Sequence, residues 1–136
     1  MEWTGAETRL IALRLSPGED LRAGIEAAFA ASGATAGFLA ACVGSLAEVA
    51  IRPAGEDAPL TLAEPLEIVS LSGTLSPDGV HLHIAVAGAD GRMTGGHLLP
   101  GALVRTTAEL VLAVTEAALF RRATDPATGW KELDLG

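Results

Sequence analysis

Apolar residues along this 136-residue chain recur at two spacings, and the switches between them divide it into elements. The run Thr8-Arg-Leu-Ile-Ala-Leu-Arg-Leu15 has strand composition. Ser16-Pro-Gly-Glu-Asp20 reads as a turn feeding a helix of about 17–32, with Ser16 as N-cap, Pro17 in the first turn and Glu19 and Asp20 at the positive dipole end. Leu21, Gly24, Ile25, Ala28 and Phe29 then recur at helical spacing, so one stripe is expected to face a sheet, and Ser32-Gly33 stops the helix. A long strand is predicted from about Gly37 to Arg52, with a bulge or close backbone approach at Gly44-Ser45. Pro53 to Pro59 is a loop, 66–75 a strand, and Ser76-Pro-Asp-Gly79 a turn.

The stretch from Val80 to Leu98 carries the most chemistry. It reads as a strand, a turn at Gly88-Ala-Asp-Gly91 and a returning strand. All three histidines of the protein lie in it. His81 and His83 share one strand face while Leu82 and Ile84 share the other, and the hairpin brings Gly95-Gly96-His97 alongside. Three imidazoles converging in this way form the ligand set of an open zinc-type site, with nickel, copper or iron as other occupants. A plainer reading makes them polar residues of a strand face. Gly95-Gly96 serves backbone conformation, since no Lys follows as in a phosphate loop.

Beyond the hairpin, Pro100-Gly101 is a turn and 103–114 a strand. A last strand is expected over 117–122, then a turn at 124–129 before Trp130 to Leu135. Strands joined by hairpins around one good helix give an α+β class, mostly antiparallel, as a single domain over 1–136 with its core at about 8–122.

Composition narrows the partners. Nine Lys and Arg face seventeen Asp and Glu, a net charge of −8, which speaks against nucleic acid or an anionic membrane as partner of the bare domain. Tyrosine is absent, so the core must be aliphatic. The one cysteine, Cys42, sits among apolar neighbours and reads as a buried thiol in a reducing compartment. No signal peptide is read in Met1-Glu2-Trp3-Thr4, and no apolar run reaches the ~18 residues of a spanning helix. The expected address is the cytoplasm.

Glu67 and Glu109 are the candidates for a carboxylate near the histidines, as general base on bound water; the alternative is a strand-face carboxylate paired with Arg or water. Ser70 and Ser72 are candidate partners of the imidazole N–H groups. Ser45 has no base near it in sequence, so a bulge residue is favoured over a nucleophile. Arg92 and Arg105 fit either an anionic ligand or a solvated strand end.

Several runs together resemble the PPC (plants and prokaryotes conserved) family: Glu67-Ile-Val-Ser-Leu-Ser-Gly-Thr-Leu75, His81-Leu-His83, Asp90-Gly91 and Gly95-Gly96-His97-Leu98. Ser16-Pro-Gly-Glu19, Gly44-Ser45 and Thr106-Thr-Ala-Glu109 match as well, so the resemblance runs from about Arg9 to Leu119. It implies a largely antiparallel α/β domain assembling as a homotrimer, with His81, His83 and His97 as ligands of a divalent metal, zinc first. In plants the domain follows AT-hooks; this chain has no Arg-Gly-Arg-Pro-type hook and resembles the stand-alone prokaryotic form. The resemblance implies no fixed reaction, so enzyme status stays open. The expectation is a trimeric metal-binding or assembly module with room for a small-molecule ligand. The alternatives are a metal-dependent hydrolase or lyase and, against the charge balance, a DNA-associated regulator.

Overall fold

In a computed structural model, which describes residues 1–2, 4–5 and 7–135, Asp20 rather than Ser16 starts the helix. Trp3, within the lead read for a signal peptide, lies outside those residues. Strand β1 (Arg9–Leu15) leads through a turn into α1 (Leu21–Ser32), so the helix begins four residues later than Pro17. The reason is that Asp20 has two acceptors to offer. One carboxylate oxygen accepts from the Ala23 N–H at 2.8 Å, and the other accepts from the Gly101 and Ala102 N–H groups at 2.7 and 3.1 Å. A serine hydroxyl at 16 could not tie the helix start to a distant turn in this way. Leu21, Ile25 and Phe29 of the expected stripe are buried, and Gly33 ends the helix in the left-handed conformation at φ 71°.

Seven further strands among the described residues complete the chain's main sheet and an added ribbon: β2 (Ala36–Arg52), β3 (Leu60–Ser76), β4 (Gly79–Ala87), β5 (Met93–Leu98) and β6 (Leu103–Thr115), then β7 (Arg121–Thr124) and β8 (Lys131–Asp134). The sheet order is β1-β6-β2-β3-β4-β5, antiparallel throughout. One more pairing changes its shape. β5 returns to the far end of β2, matching Ile51 with Leu98 and Arg52 with His97, so β2, β3, β4 and β5 close on themselves while β6 and β1 extend as an open wing.

Strand β2 can serve three neighbours because it is seventeen residues long and its register shifts repeatedly. One shift falls at Gly44-Ser45, the expected bulge; a Cβ on Gly44 would collide with the Thr107 carbonyl oxygen. The inner face buries an aliphatic cluster, Leu46, Val49, Ile51, Leu75, Leu82 and Leu98 among its members, joined by the helix stripe. This is one core, in an α+β domain with one short helix.

Two boundaries differ from the sequence reading. β3 begins at Leu60 rather than 66, since the strand runs through an irregularity around Pro65, where the missing N–H is tolerated. The last strand is Arg121–Thr124, not 117–122: after β6 the chain bends, with the Ala117 N–H donated to Thr115 Oγ1 at 3.1 Å and the Phe120 N–H to the Thr35 carbonyl at 3.0 Å. β7 then pairs only with β8, as a two-stranded ribbon. No helix among the described residues is long and apolar enough to cross a membrane.

Candidate metal centre

The register of the hairpin places the histidines together. His83 on β4 stands directly opposite His97 on β5, and His97 stands opposite Arg52 on β2, so these side chains form one row across three strands. His81 lies two residues back on the same face as His83. Leu82, Ile84 and Leu98, which alternate with them, are buried in the core and fix that face outward. The ring centroids are 5.0, 5.3 and 5.9 Å apart, and one ligand nitrogen from each ring lies within 4.8 Å of the other two.

Glycines make the approach possible. A Cβ on Gly96 would stand 2.5 Å from the Arg52 carbonyl oxygen and 2.8 Å from Ile51 Cγ2, pushing β5 away from β2. A Cβ on Gly73, beneath the other side of β4, would strike the His81 carbonyl oxygen. The expected backbone role of the Gly-Gly pair therefore holds, through close packing rather than phosphate contact.

The donor set fits a metal ion. Around a tetrahedral zinc, nitrogens at 2.0–2.1 Å are separated by about 3.3 Å, so the three donors need to draw in by roughly 1.5 Å, a movement of side-chain rotation. His97 Nδ1 is buried with no hydrogen-bond partner among the described residues, a polar atom that an ion would satisfy. Burial, then the nearby Arg52, lowers the pKa of His97 to about 4. Burial and then Arg122 lower that of His81. Both rings are thus neutral at pH 7, the state a metal requires. The group contains no fourth His, Cys, Asp or Glu among the described residues, which leaves a coordination position for water or a ligand.

The partner that touches the cluster is Arg122, from β7. Its Nη1 lies 3.2 Å from His81 Nδ1. A guanidinium only donates, so Nδ1 accepts and the ring proton sits on Nε2. Ligation by His81 and this hydrogen bond therefore exclude each other. Ser70 and Ser72, expected to support the rings, form no hydrogen bond to an imidazole among the described residues, although Ser72 stands opposite His83.

Neither proposed carboxylate joins the cluster. Glu67 is opposite Ala87, four residues along β4 from His83, or about 13 Å. Glu109, on β6, stands between Arg14 and Val43, with β2 and β3 intervening before β4. Both are exposed strand-face residues. Ser45 is buried and shares a 2.6 Å hydrogen bond with Thr106, as a bulge residue. Cys42 is half-buried rather than fully enclosed, and burial pushes its thiol up to about 11, so it is no nucleophile at neutral pH. Arg92 pairs with Asp90 in solvent, and Arg105, near the start of β6, lies beside Glu48 and Glu64 rather than the histidines. The basic residues that share a cavity with His81 and His97 are Arg22, Arg52, Arg122 and Lys131, none of which the sequence pattern singles out. Their one signal was the position of Arg52 at the end of β2, where a strand could return.

The Plants and Prokaryotes Conserved (PCC) domain model matches residues 3–116, and the chain belongs to that family. It is 50% identical over 127 residues to the "Bifunctional protein GlmU" of Synechococcus sp. (strain JA-3-3Ab), covering 93% of this chain and 20% of that protein. The chain thus spans about a fifth of the length of the curated relatives it matches. Among solved structures, a hypothetical protein from Salmonella cholerae-suis is 40% identical with a TM-score of 0.94, over 98% of this chain and 96% of that one. A metal-containing protein from Archaeoglobus fulgidus is 30% identical with a TM-score of 0.78, over 98% and 99%. A Bacteroides thetaiotaomicron protein whose name includes DNA binding is 23% identical with a TM-score of 0.79, over 93% and 91%, and shares the fold.

Proposed function

We propose that this chain is a metal-binding module, holding a divalent ion, zinc first, through His81, His83 and His97, and assembling as a homotrimer. The observation that carries the reading is the convergence of three imidazoles from two paired strands, one of them with a buried, unpartnered Nδ1. The metal-containing name of the Archaeoglobus fulgidus neighbour supports it. Assembly draws support from the outer face of the wing, where Leu10 is 70% and Val43 59% exposed. A module role is supported by the Synechococcus relative, in which the matching stretch is a fifth of a longer protein.

A second reading, a hydrolase or lyase acting on a small molecule, is favoured by one feature: Glu132 lines the pocket beside His81 and His97. Nucleic acid is disfavoured, because the basic residues gather in a concave pocket rather than a surface stripe and the net charge is −8. The test is elemental analysis of purified protein beside a His83→Ala variant. Near one metal per chain is expected in the parent and less than about a tenth in the variant. Equal content in both overturns the assignment.

A further inference from the structure

Four of the chain's nine basic residues, Arg22, Arg52, Arg122 and Lys131, line one cavity of about 500 Å³ beside His81 and His97. In a protein of net charge −8 that concentration of positive charge is unusual, and it is incompletely neutralised. Arg22 is held by Glu26 at 3.0 Å. Asp78, also in the wall, is engaged by Arg121 at 3.5 Å and by the Arg122 backbone N–H at 3.1 Å. Glu132 accepts from the Thr128 hydroxyl at 3.2 Å. Among the described residues, no carboxylate forms an ion pair with the guanidinium of Arg52 or Arg122.

These two guanidinium groups are instead held by weaker partners. Arg52 lies over the Trp130 ring at 5.3 Å. Arg122 donates to the Lys131 carbonyl and to His81 Nδ1. An oxyanion supplies the negative charge that a carbonyl, a neutral imidazole or an indole ring lacks, and it can be taken bidentately, so either arginine gains by taking such a partner. The ribbon β7–β8 supplies Arg122, Trp130, Lys131 and Glu132, and it lies beyond residue 116, where the family match ends.

We propose that this cavity binds a small molecule through an oxyanion group, carboxylate or phosphate, held by Arg52 and Arg122 next to the three imidazoles, and that the C-terminal ribbon creates the pocket. The proposal concerns the same site as the metal reading, but the arginines are its binding groups, so it stands or falls separately. The test is titration calorimetry of metal-stripped protein with inorganic phosphate and with succinate at constant ionic strength. Saturable binding of at least one probe is expected, and the tighter of the two identifies the oxyanion class. Arg52→Gln and Arg122→Gln should each weaken it at least tenfold. Arg122 also braces the ribbon, so Arg52→Gln, which leaves the ribbon's backbone bonds alone, guards against a folding artefact; thermal melts of both variants accompany the titrations. No saturable heat with either probe, or unchanged affinity in Arg52→Gln, overturns the proposal. Loss of metal in His83→Ala together with absent anion binding would retain the centre and remove the subsite; the converse result would retain the subsite alone.

Discussion

The outer surface of the sheet has two ends, and one row of residues joins them. Leu10 on β1, Ala113 on β6, Phe38 on β2, Thr74 on β3 and His81 on β4 stand opposite one another in succession. At the wing end the row is exposed hydrocarbon, with Leu10 at 70% and Phe38 at 51%. At the closed end it meets His83, His97 and the arginines. The difference lies in the extra pairing of β5 with β2 and the side chains it brings into one row. Across the wing, neighbouring strands hold side chains at the ordinary spacing of about 4.8 Å, which offers area but no point of convergence. Where β5 folds back on β2, His83, His97 and Arg52 stand opposite one another on three strands, and the His81 ring lies 5.3 Å from that of His97. The flat end is suited to another protein surface, the closed end to an ion.

The largest expected effect separates the two ends outright. A charge placed on the wing, as in Leu10→Asp or Val43→Asp, should convert a particle of three times the 13.8 kDa chain mass to single chains in sedimentation equilibrium. Metal per chain should stay unchanged if the closed end is complete within one subunit. An unaltered mass would show that the wing is not the contact.

A smaller effect is expected from disturbing the closure itself. Gly96→Ala puts a methyl group against the Arg52 carbonyl and Ile51, forcing β5 from β2 by a few tenths of an ångström or more. The imidazoles keep their identities but lose their spacing. Zinc affinity, measured by competition with a chromophoric chelator, should fall about tenfold, the scale seen when the groups orienting a ligand are disturbed. An unchanged affinity would mean that strand closure does not set the donor geometry.

What could be read from the sequence follows the same division. The alternation of His81 and His83 with Leu82 and Ile84 settles which face the rings take, and Gly88 to Gly91 settles the turn; the Gly91 N–H indeed bonds the Gly88 carbonyl at 3.0 Å. Those are local matters. The return of β5 to β2 is not local, and with it come Arg52 and the row through His97. Arg122 arrives from a ribbon nearly forty positions downstream of His83, so no spacing within the hairpin announces it. The helix start failed for a related reason. Ser16 and Asp20 are both good caps by local rules, and only the distant N–H groups of Gly101 and Ala102 decide between them.

The carboxylates provide the last and smallest expected effect. Glu67 and Glu109 have the right chemistry for a base at a metal-bound water, and register alone removes them. One sits about 13 Å along the strands from His83, the other at least three strand spacings, about 14 Å, across the sheet. At 0.1 M salt the Debye length is about 10 Å, so their fields at the histidines are largely screened. Glu67→Gln and Glu109→Gln should therefore change zinc affinity by less than about twofold in the same competition assay. A tenfold loss in Glu109→Gln would point to delivery from a neighbouring copy, because Glu109 shares the wing surface with Val43. Repeating the measurement in the Val43→Asp background decides it: an effect that disappears with assembly crosses a subunit boundary, and one that persists means the sheet carries charge to the ion in a way its register does not allow.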